Sequence, residues 1–353
     1  MAILLTVLQV LGIIVGIFGV YLLIVALVPG LSVPAQRLEE AKPTSEPDAQ
    51  PSRSRRDVSF EVRGTSVSAW LFLPEDLSAP VPCIIMGHGF GGTKDMGLEP
   101  YALRFQQAGF AVLVFDYRHS GDSDGEPRQL VWIPYQLQDY AAAIAYARGL
   151  EEIDAARIAL WGTSASGGHV IVVAARDKDV ACVVAQCPGL DGRAAALESY
   201  RKVGIRNGLR IIMHGQRDLV RSWLGLSPHK IPIVGRPGSI ACLPVQDAYE
   251  GYGRIAQGDF VNEVCARITI RGDKYRPVTK ARKVRCPVLI QICEHDNLAP
   301  ISAAEETARR LGGLAEVKRY PIGHFDIYVG DGFARSVSDQ LDFFRRHLRI
   351  ASR

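Results

Sequence analysis

Trp161-Gly162-Thr163-Ser164-Ala165-Ser166-Gly167-Gly168-His169 joins the apolar run Ala156–Leu160 to a second one, Val170–Ala175. The first run reads as a buried strand and the second as the body of a helix. Only small residues stand between Trp161 and His169. The pattern is therefore strand, tight turn, helix, with Ser164 at the turn two residues after Gly162. Small flanks let such a turn pass close to neighbouring strands. Ser166 stands where a glycine would complete a Gly-x-Ser-x-Gly pattern, and on paper it rivals Ser164. The register from Gly162 favours Ser164. A turn of this kind lifts a serine hydroxyl to the carboxyl edge of a sheet.

Working outward, strand-like and helix-like segments alternate, the signature of a largely parallel sheet with helices on its faces. Residues 58–62 and 68–74 suggest an opening antiparallel hairpin, and 81–87, 110–116, 156–162, 180–186, 287–294 and 315–321 suggest further strands. Helices are expected over 100–109, 136–150, 167–176, 303–311 and 337–348. Between residues 188 and 285 the rhythm breaks into Pro- and Gly-containing stretches mixed with helix-like pieces. The parallel pattern then resumes, so this stretch is expected to be an inserted cap over the sheet edge. Its Trp223, Tyr252 and Phe260 are candidates to line a pocket.

Two further stretches carry chemistry. His88-Gly89-Phe90-Gly91-Gly92 follows a buried strand directly. Acyl transfer needs backbone N–H groups aimed at a developing oxyanion. A loop here supplies one donor and the residue after the nucleophile the other, which selects the N–H groups of Phe90 and Ala165. His88 is expected to brace the loop. The base and its orienter should follow the serine in the order acid, then histidine. Asp296 stands just past one strand and His324 just past the next, both at the edge where parallel sheets place their sites. Glu294 and His295 are the alternatives; His119, His169 and His214 lack comparable context.

With Ser164, His88–Gly92, Asp296 and His324 in place, the stretch from about residue 57 to 350 resembles the α/β-hydrolase superfamily of serine hydrolases. It is most similar to the dienelactone hydrolase, acetyl xylan esterase and X-Pro dipeptidyl-peptidase-like group. The shared features are the HGFGG loop, the elbow, and Phe115-Asp-Tyr-Arg-His-Ser-Gly-Asp-Ser-Asp-Gly125, to which we assign a loop-shaping role and no chemistry. The resemblance implies an ester or thioester substrate with no metal or organic cofactor. Acyl transfer and peptidase action are alternatives on the same triad. A serine in the elbow argues against dehalogenase and epoxide hydrolase chemistry, which use aspartate there. Outside enzymes, the alternative is a membrane-tethered binding module with an inactive hydrolase frame.

The amino-terminal segment is different in kind. No charged residue occurs between Ala2 and Gln36. Residues 1–29 are long and apolar enough for a transmembrane anchor, ended by Pro29 and Gly30. A cleaved signal peptide would have a basic start and a shorter apolar run of roughly 7–15 residues. Gly12-x-x-x-Gly16 fits a helix-packing motif. Residues 30–56 read as a flexible tether, and residues 57–353 as the hydrolase domain. Basic residues follow the span and none precede it, which predicts a single-pass protein with a cytoplasmic catalytic domain.

Composition sets the remaining bounds. In 353 residues, 41 Lys+Arg face 37 Asp+Glu, a balance without the strongly basic face of a nucleic-acid binder. Seven cysteines, an odd number with no C-x-x-C pair, argue against a disulfide framework or a zinc site. They read as buried thiols. A homodimer is the one protein partner entertained.

Overall fold

The computed structural model describes residues 2–27, 33, 38, 55–75, 77–256 and 260–348. Apart from residues 33, 38, 55 and 56, the expected tether lies outside them. The chain opens with α1 (Ala2–Leu27), then the hairpin β1 (Arg55–Val62) and β2 (Thr65–Phe72). There follow β3 (Val81–Gly87), α2 (Glu99–Gln107), β4 (Ala111–Phe115), α3 (Ile133–Arg148), β5 (Ile153–Thr163), α4 (Ala165–Arg176) and β6 (Val180–Gln186). An excursion contributes α5 (Gly192–Val203), α6 (Ile205–Trp223), β7 (Lys230–Ile231), α7 (Gln246–Ile255) and β8 (Val264–Cys265). Then β9 (Val288–Cys293), α8 (Ile301–Leu311), β10 (Ala315–Tyr320) and α9 (Gly330–Leu348) complete it.

The main sheet has eight strands in the order β1-β2-β4-β3-β5-β6-β9-β10. The β1–β2 and β2–β4 pairs are antiparallel and the rest parallel. Side chains alternate between faces along each strand. Ile85, Leu113 and Leu160 thus pack beneath α3, α4 and α8, while Ile84, Val112 and Trp161 pack against α2 and α9. Burial on both faces explains why these strands read as continuous apolar runs.

Boundaries differ from expectation where polar residues begin an element. β1 starts at Arg55, so Arg55 and Arg56 belong to the sheet. Arg55 pairs with Glu99 at 3.2 Å and stacks on Trp70, and Arg56 pairs with Glu152 at 2.8 Å. α3 starts at Ile133, with Pro134 in its first turn, where proline's missing N–H costs nothing. α9 starts at Gly330, because its first two turns lack the apolar spacing that begins at Val337.

α1 is one helix long and apolar enough to cross a membrane. Its carboxyl end rests on α6. Tyr21 Oη donates to Gln216 Oε1 at 2.7 Å. Arg217 Nη1 donates to the Val25 carbonyl at 2.7 Å, and Arg221 Nη1 to the Ala26 carbonyl at 2.9 Å. These carbonyls belong to the last turn, whose acceptors have no partner within the helix. Cations there also complement the helix dipole.

Candidate active site

β5 ends at Thr163 and α4 begins at Ala165, so the turn between them consists of Ser164 alone. Ser164 adopts φ 54° and ψ −119°, a region L-residues rarely enter. Such strain costs about 1–3 kcal/mol and persists only where the surroundings enforce it. Three hydrogen bonds do so here. The Ser164 N–H donates to the Gln186 carbonyl at 2.9 Å. Its own carbonyl accepts from Gly167 at 3.0 Å and Gly189 at 2.7 Å. A Cβ on Gly162 would stand 2.2 Å from the Ser166 carbonyl oxygen, so only glycine fits.

The two serines of the motif are used differently. Ser166 is fully buried; its hydroxyl donates to the His88 carbonyl and accepts from Tyr117 Oη at 2.5 Å. Ser164 faces a cavity of about 320 Å³. Phe90, Ala165 and His324 share that cavity wall. Ala165 is the first residue of α4, so its amide has no acceptor within the helix. Gly89 passes so close that a Cβ there would be 3.2 Å from Ser164 Cβ. Tyr252 Oη donates to the Phe90 carbonyl and holds the loop from the cap side. His88 is buried and braces the loop, its Nδ1–H donating to the Gly89 carbonyl at 3.0 Å. Burial holds its pKa below the usual imidazole value.

His324 Nδ1 donates to Asp296 Oδ2 at 2.6 Å, with both side chains almost wholly buried. Asp296 Oδ1 accepts from the N–H groups of Leu298 at 2.7 Å and Ala299 at 2.9 Å. Burial works against the Asp296 charge, but His324 and these amides outweigh it and lower the carboxyl pKa. Burial likewise works against charge on His324, yet Asp296 and the nearby Cys187 sulfur raise its pKa well above the usual value. Glu294 and His295 are exposed, and Glu294 turns toward Arg319 at 3.9 Å.

The site also holds residues that the sequence did not single out. Cys187, just past β6, puts Sγ 3.9 Å from His324 Nε2 and 3.6 Å from Thr163 Oγ1. No hydrogen bond joins Ser164 Oγ to His324 within 3.5 Å among the described residues; such contacts tighten when substrate binds. His169 lines the cavity, with Nε2 on Gln136 Oε1 at 3.0 Å and Nδ1 on Tyr275 Oη at 2.8 Å. Burial pushes its pKa down to about 3, so it is neutral, donating from Nε2 and accepting at Nδ1. Of the three cap aromatics, Tyr252 lines this cavity, Phe260 lines a separate one, and Trp223 is exposed.

The loop-shaping motif acts through a buried lysine. Lys94 Nζ binds Asp116 Oδ2 at 2.7 Å and Asp122 Oδ2 at 2.5 Å, and the Lys94 N–H donates to Asp116 Oδ1 at 2.7 Å. The chain after β4 is thereby fastened to the glycine loop after β3. Among the described residues, no group of three or more His, Cys, Asp or Glu is placed to hold a metal ion.

Comparison with known proteins gives this arrangement a family. Residues 63–219 match the family model of X-Pro dipeptidyl-peptidase (S15 family). The quorum-quenching protein AidA of Acinetobacter baumannii is 40% identical over 292 residues, which cover 82% of this chain and 94% of that protein. The chain belongs to the α/β-hydrolases. A thiohydrolase of Arthrinium phaeospermum is 30% identical over 74% of this α/β-hydrolase and 88% of its own length. The crystal structure of the Penicillium α/β-hydrolase GrgF superposes with a TM-score of 0.72 at 26% identity, covering 84% of this chain and 99% of that one.

Proposed function

We propose that this α/β-hydrolase cleaves a carboxylic ester or thioester of an apolar acyl group through Ser164, His324 and Asp296. The observation that carries the reading is His324, bonded to buried Asp296 at 2.6 Å, lining one cavity with the strained Ser164. Ser164 Oγ attacks the acyl carbon as its proton passes to His324 Nε2. Asp296 holds the Nδ1–H tautomer and stabilises the imidazolium. The N–H groups of Phe90 and Ala165 receive the oxyanion, aided by the positive end of α4. Collapse breaks the bond to the leaving oxygen or sulfur, which takes the proton from His324. Water then repeats the sequence and frees the acid. Apolar cavity residues such as Met96, Leu98, Val131 and Ile211 suit an acyl chain. A thiohydrolase among the relatives fits a thioester as readily as an ester.

A fluorophosphonate probe and a chain-length series of p-nitrophenyl esters test this directly. Labelling of Ser164 with rates rising into medium chains supports it; no labelling and no turnover would leave a binding module.

We infer further that α1 spans a bilayer with the catalytic domain in the cytoplasm, because five basic residues follow it between Arg37 and Arg56. A carboxyl-terminal reporter should read as cytoplasmic, and the protein should stay in the membrane pellet through high salt. A mature amino terminus near Gln36 would make the segment a signal peptide.

A further inference from the structure

α6 has a mixed inner face and an apolar outer one. Its inner one carries Ile211 and Gly208 into the cavity wall and buries His214 and Asp218. The outer one carries Ile205, Leu209, Met213 and Trp223, exposed by 80%, 59%, 37% and 64%. At about 100° per residue these four fall within an arc of roughly 80°. Gln216, which receives the Tyr21 hydroxyl, lies inside the same arc, and Arg217, which holds the Val25 carbonyl, borders it. The exposed apolar stripe is thus the continuation of the surface on which the membrane helix ends. Leu224 and Leu226 extend it beyond the helix. Arg206 and Arg210, both exposed, run along one edge of it. An apolar stripe edged by arginines, with a tryptophan at its end, is the composition of a helix lying in a membrane interface.

We propose that α6 lies in the headgroup region of the bilayer that α1 crosses, with Ile205, Leu209, Met213 and Trp223 in the acyl boundary. Arg206 and Arg210 then face anionic headgroups. One helix thickness separates that surface from the cavity, so the substrate is an acyl ester or thioester dissolved in the membrane. It reaches Ser164 past the α5–α6 edge, where Tyr200 and Gly208 meet and both line the cavity. The proposal rests on reading α1 as a membrane span and the site as a hydrolase.

The test uses the full chain in vesicles of phosphatidylcholine and phosphatidylglycerol. Phospholipids brominated on their acyl chains should quench Trp223, a signal identified by its loss in Trp223→Phe. Flotation of the chain with the vesicles reports the span independently, and ester turnover reports the hydrolase independently. Trp223 that stays open to aqueous acrylamide in floating protein overturns the proposal. In Leu209→Glu/Met213→Glu, kcat/KM for a long-chain, membrane-dissolved ester should fall about tenfold or more while a short soluble ester is unaffected. Equal loss on both esters, or on neither, overturns it. So does a dimer in detergent that these substitutions split while bromolipid leaves Trp223 bright, because the stripe's occupant would then be a second copy of the chain.

Discussion

Cys187 Sγ lies 3.9 Å from His324 Nε2, the nitrogen that takes the Ser164 proton in the proposed reaction. The thiol stands at the end of β6 and the imidazole just past β10, so the sheet itself brings them together. Both Asp296 and Cys187 favour the charged imidazolium, against the effect of burial. Protonated His324 cannot act as a base. kcat/KM should therefore climb with pH through the raised His324 pKa and reach its plateau on the alkaline side of the ordinary imidazole value. Cys187→Ala should move that limb toward lower pH. An ascending limb that does not respond would remove Cys187 from the electrostatics of the base.

Asp296→Asn should leave the fold intact and lower kcat by about 10⁴, because the imidazole loses its tautomer and its counter-charge. Glu294→Gln, at an exposed position, should retain near wild-type rates. Steady-state kinetics with circular dichroism separates the two, and equal losses would leave the acid unassigned.

Ser164→Ala should abolish fluorophosphonate labelling and reduce kcat by about 10⁴ or more. Ser166→Ala should keep the label yet unfold more easily, by about 1–3 kcal/mol, because the buried His88 carbonyl and Tyr117 hydroxyl lose their partner. Swapped outcomes would put the nucleophile two residues along.

Lys94→Met should cost about 3–5 kcal/mol, since Asp116 would remain buried without its counter-ion. The glycine loop is fastened through the same residue, so kcat should fall with stability. Urea unfolding in detergent measures the first; a change below about 1 kcal/mol would mean that the backbone N–H groups of residues 94 and 122 suffice for Asp116.

That Ser164, Asp296 and His324 come together was legible because parallel strands end on one edge. A residue just past a strand is placed by the strand, whatever lies between. Phe90 and Ala165 follow from the same logic. Cys187 and His169 were not legible, since their roles depend on partners 137 and 106 residues away, met only through the sheet order and the cap. Lys94 carries no signal in the sequence, because Asp116 and Asp122, 22 and 28 residues away, reach it only through the fold. α6 was hidden for another reason: its buried side carries Asn207, His214 and Asp218 while Ile205, Leu209 and Met213 stay exposed, so apolar spacing does not mark the side that packs.

In the proposed bilayer arrangement, the clasp of Arg217 and Arg221 on the end of α1 would make bilayer thickness a mechanical input. At about 1.5 Å per residue the 26 residues of α1 extend roughly 39 Å, against about 30 Å of hydrocarbon. Leaning is one way a helix of that length fits a bilayer, and a thinner bilayer asks for more of it. The Val25 and Ala26 carbonyls lean with it, and each is in the grip of a guanidinium whose helix forms a wall of the cavity. In that arrangement the same clasp ties the tilt of α1 to the helix that carries Ile211.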